Sequence, residues 1–278
     1  MDSVNPKHLS ESLDLGDDGI WHAGQVEQVS YTADGHNLIL PHEDSFWYRH
    51  RNKMLVQECQ RAGMEQLLEI GGGNGLVAAA LQKAGHQICL LEPGIEGVYH
   101  AQSRGIRHLI RADFYNAGIK TGAVPNAGLF DVLEHIEDDA ACLDEIYRVL
   151  TPGGKVLISV PALPSLYSDF DREVGHYRRY TARVLKRKLS TAGFQVDYSH
   201  YFFHILWIPA MIMRKLRGKK RKHVSADERR RSEHLTGKKE LSSLMEWVLS
   251  PELPMIRKNI HIPFGTSCIA LATKPASK

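Results

Sequence analysis

A cluster of glycines next to an acidic residue is the part of this sequence best suited to binding a ligand. Glu69 lies in the apolar run 66–70, and the next five residues, 71–75, are four glycines and Asn74. Glycine adopts positive φ at little cost and has no Cβ to keep a ligand away from the backbone. The segment therefore predicts a ligand held against the chain with a carboxylate beside it.

The glycine pattern is compatible with more than one ligand class. A phosphate-binding P-loop needs Gly-Lys-Ser or Gly-Lys-Thr after the glycines, and neither follows here. A dinucleotide fingerprint can be placed on Gly73, Gly75 and Ala78, with Glu92 in the position that binds ribose. Because Glu69 would repel a pyrophosphate and attract a cation, it favours a ligand with a positively charged group.

The elements that must position these residues alternate between short apolar runs and helices. The predicted strands are 66–70, 87–92, 108–113, 126–133 and 155–161, and the predicted helices are 75–85, 95–105 and 137–150. This alternation is typical of right-handed βαβ units, which form a mostly parallel sheet with helices on both faces. The predicted fold is an open, doubly wound α/β sheet, in which ligands bind outside the carboxyl ends of the strands.

The glycine segment and its acidic neighbours resemble motif I of the class I S-adenosylmethionine-dependent methyltransferases. The resemblance continues at Glu92 in "LLEPG", at Asp113 in "IRADF", and in the segments 129–139 and 150–161. The cofactor of that family carries an ammonium and a sulfonium, which suits Glu69. The resemblance implies that Glu92 binds the ribose hydroxyls and that Asp113 binds the adenine amino group, with Phe114 beside the ring.

This resemblance implies S-adenosyl-L-methionine as the cofactor and S-adenosyl-L-homocysteine as the product. The implied cofactor-binding residues are Arg51, Glu69, Gly71, Gly72, Gly73, Asn74, Gly75, Glu92, Pro93, Asp113, Phe114, Phe130, Asp131, Val132 and His135. The family usually has an earlier Asp ahead of the run that matches "LFDVLEH", and this sequence lacks it, so Asp131 is the acidic residue present. Arg51 is predicted to bind the cofactor carboxylate, and ordinary packing of a solvated arginine is the alternative.

The implied fold is a Rossmann-like methyltransferase sheet with an N-terminal arm and helix and a C-terminal helical insertion before the last strand. Further elements are predicted as helices at 45–62, 181–194 and 239–250 and strands at 195–201 and 265–274, with a hairpin turn at 33–37. The expected division is an N-terminal arm and lid helix (1–62), a cofactor-binding core (63–202), an apolar and basic helical insertion (203–263), and the last strand with its tail (264–278).

A loop rich in His, Tyr and Arg follows the fifth predicted strand, at the edge where an acceptor would bind. His176 is predicted as a general base on an acceptor hydroxyl, and an arginine of the loop as the partner of an anionic group. The predicted substrate contacts are Tyr177, Arg178 and Arg179. The alternative is a structural loop before a helix capped by Thr181. His135 is the second catalytic candidate, as a base or as a residue that lines the cofactor.

Composition argues against several other classes of protein, namely nucleic-acid-binding, zinc-binding, secreted and membrane-spanning proteins. The formal net charge of +3 is too small to indicate nucleic acid, and four widely spaced cysteines without a C-x-x-C pair argue against zinc. No His/Asp/Glu cluster has ligand spacing, so no metal is expected. The N-terminus has no apolar secretory region, and the longest apolar stretch, 201–213, is shorter than the roughly 20 residues that span a bilayer. A cytoplasmic protein is expected.

Charge is nevertheless unevenly distributed, and residues 214–239 carry twelve Lys and Arg against three acidic residues. Together with the apolar stretch before it, segment 201–222 could contact an anionic membrane surface, which would suit a lipid-linked acceptor. The interpretation that we favour from the sequence is a buried helix followed by a mobile, solvated basic loop. Nucleic acid is the third possible partner of the basic segment, after these two interpretations, because no aromatic-rich RNA-binding module accompanies the charge.

We therefore expect a methyltransferase whose acceptor, with oxygen favoured, belongs to a small molecule, sugar or lipid. Two alternatives stay open. One is an NAD(P)-dependent oxidoreductase, which Glu69 disfavours, and the other is a membrane- or partner-binding protein with a vestigial cofactor fold. The identity of the acceptor and the oligomeric state do not follow from the sequence.

Overall fold

The computed structural model describes residues 3–24, 45–217, 239–258, 260 and 262–276. The predicted turn at 33–37 and most of the basic segment, 218–238, lie outside the described residues. None of the helices in the described ranges has the length and apolar character needed to cross a bilayer.

A sheet of nine strands forms the centre of the described chain. The strands are β1 (Leu13–Leu15), β2 (Trp21–Ala23), β3 (Gln66–Ile70), β4 (Gln87–Leu91), β5 (His108–Arg111), β6 (Val124–Phe130), β7 (Leu150–Pro161), β8 (Gln195–Phe202) and β9 (Ser267–Thr273). Their order across the sheet is β1-β2-β5-β4-β3-β6-β7-β9-β8. Strands β2 to β7 pair in parallel, β1 pairs antiparallel with β2, and β9 pairs antiparallel with both β7 and β8.

Strand β3 is the point at which the order of the strands reverses. It pairs with β4 on one side and with β6 on the other. Open α/β sheets bind their ligands beyond the carboxyl end of such a switch point, because the two connections leave a cleft between them. The glycine segment follows β3 directly, so the fold places it at this cleft.

Helices cover both faces of the sheet. They are α1 (Pro6–Leu9), α2 (Phe46–Arg61), α3 (Leu76–Lys83), α4 (Ile95–Ser103), α5 (Asp139–Val149), α6 (Asp169–Glu173), α7 (Ala182–Thr191), α8 (His204–Arg217), α9 (Lys239–Leu249) and α10 (Glu252–Arg257), with short 3₁₀ turns at Leu133–His135 and Pro164–Leu166. The predicted doubly wound, mostly parallel sheet with helices on both faces is therefore confirmed.

Helix α5 illustrates how the local sequence selects its element. The Oδ1 atom of Asp138 accepts a hydrogen bond from the Ala141 backbone N–H at 3.0 Å and caps the first turn. Cys142, Ile146 and Val149 follow at helical spacing and are fully buried. The helix therefore packs one apolar face against the sheet.

The two faces of β3 join different parts of the core, since successive strand residues point to opposite sides. Leu68 and Ile70 belong to the hydrophobic cluster that includes α5, whereas Leu67 belongs to the cluster that includes α2 and α3. Glu69 alternates with Leu68 and Ile70, so its carboxyl group lies on the α2 and α3 side.

Two parts of the chain differ from the expectation. Strands β1 and β2, within the predicted N-terminal arm, join the edge of the sheet, where β2 pairs with β5. The unpredicted helix α10 carries Glu252, which lies 2.7 Å from Nε2 of His50 and accepts a hydrogen bond from the His204 backbone N–H at 2.9 Å. These contacts join α2, α8 and α10.

The apolar stretch 201–213 is divided between the end of β8 and α8. Phe202 and Phe203 are fully buried, whereas Ile205, Ile208 and Ile212 are 46%, 56% and 53% exposed. The three isoleucines are three and four positions apart, so they share one face of the helix. Within the described residues, the interpretation of this stretch as a buried helix is therefore wrong for that face.

Candidate active site

The glycine loop at the end of β3 has a backbone that other residues would distort. Gly71, Gly73 and Gly75 have φ values of +70°, +53° and +73°. A Cβ on Gly72 would lie 2.6 Å from the Leu90 side chain, and one on Gly75 would lie 2.8 Å from the Cβ of Ala101. The loop is therefore shaped both by left-handed backbone and by close packing.

Glu69 places a carboxyl group under this loop with only 2% of its surface exposed. Burial raises its pKa to about 8, the Arg51 guanidinium opposes the shift, and the nearby Glu92 carboxylate adds to it. Among the described residues, its Oε2 has no hydrogen-bond partner. A buried acceptor without a donor is costly, so this atom is suited to a cationic or hydrogen-donating ligand.

Glu92, at the end of β4, faces the same loop. Its Oε2 accepts from the Gly73 backbone N–H at 2.9 Å, and its Oε1 accepts from that of Gly94 at 2.8 Å. Pro93 lies between them at intermediate exposure. The sequence-predicted pair of carboxylates, Glu69 and Glu92, is therefore brought together on either side of the glycines.

Asp113 and Phe114 follow β5, one strand further along the sheet. The Oδ1 of Asp113 accepts from the Tyr115 backbone N–H at 2.9 Å, a turn-capping contact. Phe114 is 7% exposed and packs in the core cluster that includes β5. Asp113 keeps intermediate exposure at the carboxyl edge, where the resemblance expects it to meet adenine.

Arg51 and Asp131 form an ion pair across the opening of the cleft. Arg51 Nη1 lies 2.7 Å from Asp131 Oδ2, and the Ser159 hydroxyl lies 3.2 Å from Asp131 Oδ1. The guanidinium also lies 5.0 Å from the centre of the Trp47 ring and 5.2 Å from that of Tyr48. Arg51 is therefore held in place by α2 and by Asp131, which has the unusual φ of +59°.

The residues on either side of Asp131 have different environments. Phe130 is 7% exposed and belongs to the hydrophobic cluster that includes Leu157. Its ring packs in the core, and its contact with the cofactor stays a prediction. Val132 instead faces the glycine loop, because a Cβ on Gly71 would lie 2.9 Å from its methyl groups.

Two histidines predicted as catalytic come together next to Glu134, which the sequence did not single out. The rings of His135 and His176 are 4.6 Å apart, and His176 Nε2 lies 3.9 Å from Glu134 Oε1. One nitrogen or oxygen atom from each of the three residues lies within 4.8 Å of the others. This cluster differs from the expectation that no group of metal-ligating residues is present.

Asp171 fixes the orientation of His176. The Nδ1 of His176 lies 2.9 Å from Asp171 Oδ1, and since a carboxylate only accepts, Nδ1 carries the proton. Asp171 is fully buried and also accepts from Arg179 Nε at 2.6 Å and from the Ser168 backbone N–H at 2.7 Å. Burial raises the pKa of Asp171, but these hydrogen bonds outweigh it and hold the pKa below its usual range.

The neighbouring groups are shifted in the direction of their neutral forms. Burial and the nearby His176 together lower the pKa of His135 to about 3, against the opposing effect of a hydrogen bond to the Gly175 backbone. Burial also raises the pKa of Glu134 well above its usual range, with the Asp131 carboxylate adding to the shift. The cleft thus contains closely spaced ionisable groups that are shielded from solvent, and burial favours their neutral forms.

The arginines predicted as substrate contacts have partners within the loop. Arg178 Nη1 lies 2.9 Å from an oxygen of Asp139, and Arg179 is paired with Asp171. Both guanidinium groups therefore have carboxylate partners within the described residues, and their contact with an anionic substrate group stays a prediction. Tyr177 has a 47% exposed side chain, and its backbone N–H donates to the Glu134 carbonyl at 2.8 Å.

Comparison with known protein families gives a match over the central part of the chain. A family profile described as a methyltransferase domain matches residues 44–199, which is more than half of the chain. The match covers the glycine loop, both carboxylates beside it and the His135–His176 cluster.

Two curated relatives show similar sequences. A protein of Mycolicibacterium smegmatis named as a probable S-adenosylmethionine-dependent methyltransferase is 28% identical over 169 residues, which are 58% of this chain and 64% of that protein. A ubiquinone biosynthesis O-methyltransferase of Xanthomonas oryzae pv. oryzae is 28% identical over 100 residues, which are 34% of this chain and 42% of that protein. The chain thus spans less than two thirds of the length of these relatives.

Solved structures show the same fold. Phosphoethanolamine N-methyltransferase 2 of Haemonchus contortus, determined in complex with S-adenosyl-L-methionine, superposes with a TM-score of 0.56 at 18% identity. The superposition covers 90% of this chain and 59% of that one. At this identity, the likeness concerns the fold alone.

Proposed function

Because the chain belongs to the class I S-adenosylmethionine-dependent methyltransferases, we propose that it transfers a methyl group to a hydroxyl oxygen of a small molecule, sugar or lipid. The cofactor is S-adenosyl-L-methionine and its product is S-adenosyl-L-homocysteine. The observation that carries the choice of oxygen is the His176–Asp171 pair beside His135.

The residues at the switch point fit the cofactor. Glu69 offers a buried carboxyl oxygen without a hydrogen-bond partner among the described residues, next to glycines 71–73, which keep intermediate exposure. Glu69 is proposed to neutralise the cationic head, Glu92 to bind the ribose hydroxyls and Asp113 to bind the adenine amino group. When bound, the cofactor supplies an electrophilic methyl group on a sulfonium that is already a good leaving group.

The chain's own contribution to the chemistry is proposed to be orientation and removal of one proton. With Nδ1 protonated toward Asp171, the neutral imidazole of His176 carries its lone pair on Nε2. This nitrogen can accept the proton that a hydroxyl loses as it takes the methyl group, the role of a general base. Holding the hydroxyl in line with the methyl group supplies the larger part of the rate increase.

The acceptor is proposed to enter over the loop that contains Tyr177, whose side chain is the exposed aromatic ring of this loop. A lipid-linked acceptor would also use segment 201–222, whose helix α8 presents Ile205, Ile208 and Ile212 to the outside. We accordingly propose a cytoplasmic enzyme with peripheral membrane contact through this part of the predicted helical insertion.

Paired acceptors that differ only in the receiving atom test the proposal. The protein would be incubated with S-adenosylmethionine labelled in the methyl group and with matched hydroxyl and amino compounds, such as a phenol with its aniline and a sugar with its amino sugar. We expect the label on oxygen, with roughly a hundredfold lower kcat in His176→Gln and little change in affinity for S-adenosylhomocysteine. Transfer to the amines alone would contradict the oxygen assignment.

A further inference from the structure

The cluster of Glu134, His135 and His176 has the composition of a metal site. Two imidazoles and one carboxylate each offer one donor atom, and the three atoms lie within 4.8 Å of one another. Donors bound to one transition-metal ion at about 2.1 Å are separated by at most about 4 Å. The 3.9 Å between Glu134 Oε1 and His176 Nε2 meets this limit, and the donor atom of His135 lies within 4.8 Å of the other two.

A second observation points independently to a ligand at this place. Glu134 is 1% exposed, and its Oε2 has no hydrogen-bond partner among the described residues. A buried carboxyl oxygen without a donor is energetically costly, and a cation bound to the carboxylate relieves this cost.

The surroundings orient the donors as they are oriented in known metal sites. Metal-binding histidines usually donate their second ring N–H to a carboxylate, which fixes the tautomer and the direction of the free nitrogen. Asp171 accepts from His176 Nδ1 at 2.9 Å and is itself held by Arg179 and Ser168. The Nε2 atom of His176 is therefore directed by a buried carboxylate.

We propose that Glu134, His135 and His176 bind a first-row divalent cation such as Zn²⁺, and that this ion holds the hydroxyl of the acceptor. Two imidazoles favour such ions over Mg²⁺ or Ca²⁺, which prefer oxygen ligands. The assignment of the acceptor rests on the proposed function, whereas the binding of the ion does not.

The position of the cluster suits activation of the acceptor. Val132, two residues before Glu134, packs against Gly71, so the cluster follows directly in the chain on a residue beside the proposed cofactor loop. Three protein ligands leave a coordination position for the hydroxyl oxygen, and a bound cation lowers the pKa of that oxygen. The hydroxyl proton passes to water, the new O–C bond forms as the C–S bond breaks, and the thioether product leaves. In this arrangement His176 acts as a ligand instead of taking the proton itself.

Metal binding can be measured without cofactor or acceptor. Chelator-treated protein would be dialysed against Zn²⁺ and analysed for metal content, and titrated with Co²⁺ while its visible absorption is recorded. We expect about one ion per chain for the wild type, loss of binding in His176→Gln, and an affinity about 10- to 100-fold lower in Asp171→Asn. His22→Gln is the matched control, because His22 forms a comparable pair with Asp18 at 3.2 Å outside the cluster.

Calorimetry with S-adenosylhomocysteine would show that each variant is folded. Failure of the wild type to retain Zn²⁺ or Co²⁺, or equal retention by His176→Gln and the wild type, would overturn the site. Undiminished methylation of hydroxyls by metal-free protein would overturn the role of the ion while leaving the proposed function intact. If the protein retains the metal but transfers the labelled methyl group to nitrogen alone, the metal site is supported and the proposed oxygen acceptor is contradicted.

Discussion

At the scale of single residues, we expect Glu69 to couple cofactor binding to the release of a proton. Its pKa is about 8, raised by burial from an ordinary value of 4.5, so the carboxyl group is mostly protonated at pH 7 in the free protein. A cationic ligand stabilises the carboxylate and lowers this pKa. We expect close to one proton to be released on binding at pH 7, measured by calorimetry in two buffers of different ionisation enthalpy.

The raised pKa of Glu69 also determines in which direction the stability of the protein and its affinity for the ligand change with pH. Because the folded pKa is raised, the contribution of Glu69 to the stability of the free protein is complete below about pH 4.5 and is lost as the pH rises through about 8. Affinity for S-adenosylhomocysteine should rise over the same interval. Glu69→Gln should remove the proton release and weaken binding, whereas the exposed Glu65→Gln should change neither. Equal proton release in both variants would rule out Glu69 as its source.

The sequence allows single site residues to be predicted when they lie at or directly after the end of a strand. Glu69, Glu92 and the glycines were predictable because each follows or ends an apolar run. The Glu134–His176 contact was not predictable, since its members are 42 positions apart and only the fold of the 171–180 loop joins them. The packing of Phe130 in the core was likewise not predictable, because an apolar ring suits either a core or a cofactor site.

At the scale of elements, Gly75 is expected to tolerate a side chain less well than another left-handed glycine. Gly75 is the N-cap of α3 and has φ of +73°, and an added Cβ would lie 2.8 Å from Ala101 Cβ and 3.0 Å from Ala101 Cα. Gly63, after α2, has φ of +67° and nothing within 4 Å of an added Cβ. Alanine substitutions at these two glycines therefore allow the cost of backbone strain to be measured separately from the cost of steric overlap.

Gly63→Ala should lower the free energy of unfolding by about 1–2 kcal/mol, the cost of left-handed backbone alone. Gly75→Ala should lower it by about 1–3 kcal/mol more, because the backbone of α4 at Ala101 cannot move aside without repacking. Chemical denaturation of both variants and the wild type measures the difference. Equal losses would show that the contact between α3 and α4 relaxes freely.

Predictions of elements succeeded where a continuous apolar pattern existed. The strand at 66–70 has the predicted bounds, and the other core strands and helices differ from their predictions by a few residues at the ends. Strands β1 and β2 have three residues each and no apolar run, so only their pairing with the edge at β5 makes them strands. Pairing between distant segments is tertiary information that local periodicity does not contain.

At the scale of the whole molecule, charge and exposed apolar surface occur in neighbouring segments. Residues 214–239 carry twelve basic and three acidic residues, and the rest of the chain carries more acidic than basic ones. Helix α8 enters this segment with Ile205, Ile208 and Ile212 exposed, and Trp247 of α9, after it, is 73% exposed. Basic charge and apolar side chains together are what a peripheral protein uses at an anionic lipid surface.

We expect the protein to sediment with vesicles that contain phosphatidylserine and not with purely zwitterionic ones, and salt to weaken the association by screening the basic charge. Replacing Ile208 and Ile212 by serine should lower the partition coefficient about tenfold or more, because each half-exposed side chain contributes on the order of 1 kcal/mol on insertion. Leu15→Ser, at a 58% exposed position on β1, is the control for general loss of apolar surface. If the double variant and the control partition alike, α8 does not insert. The segregated charge would then be directed at a soluble anionic partner, and a lipid-linked acceptor would lose its structural support.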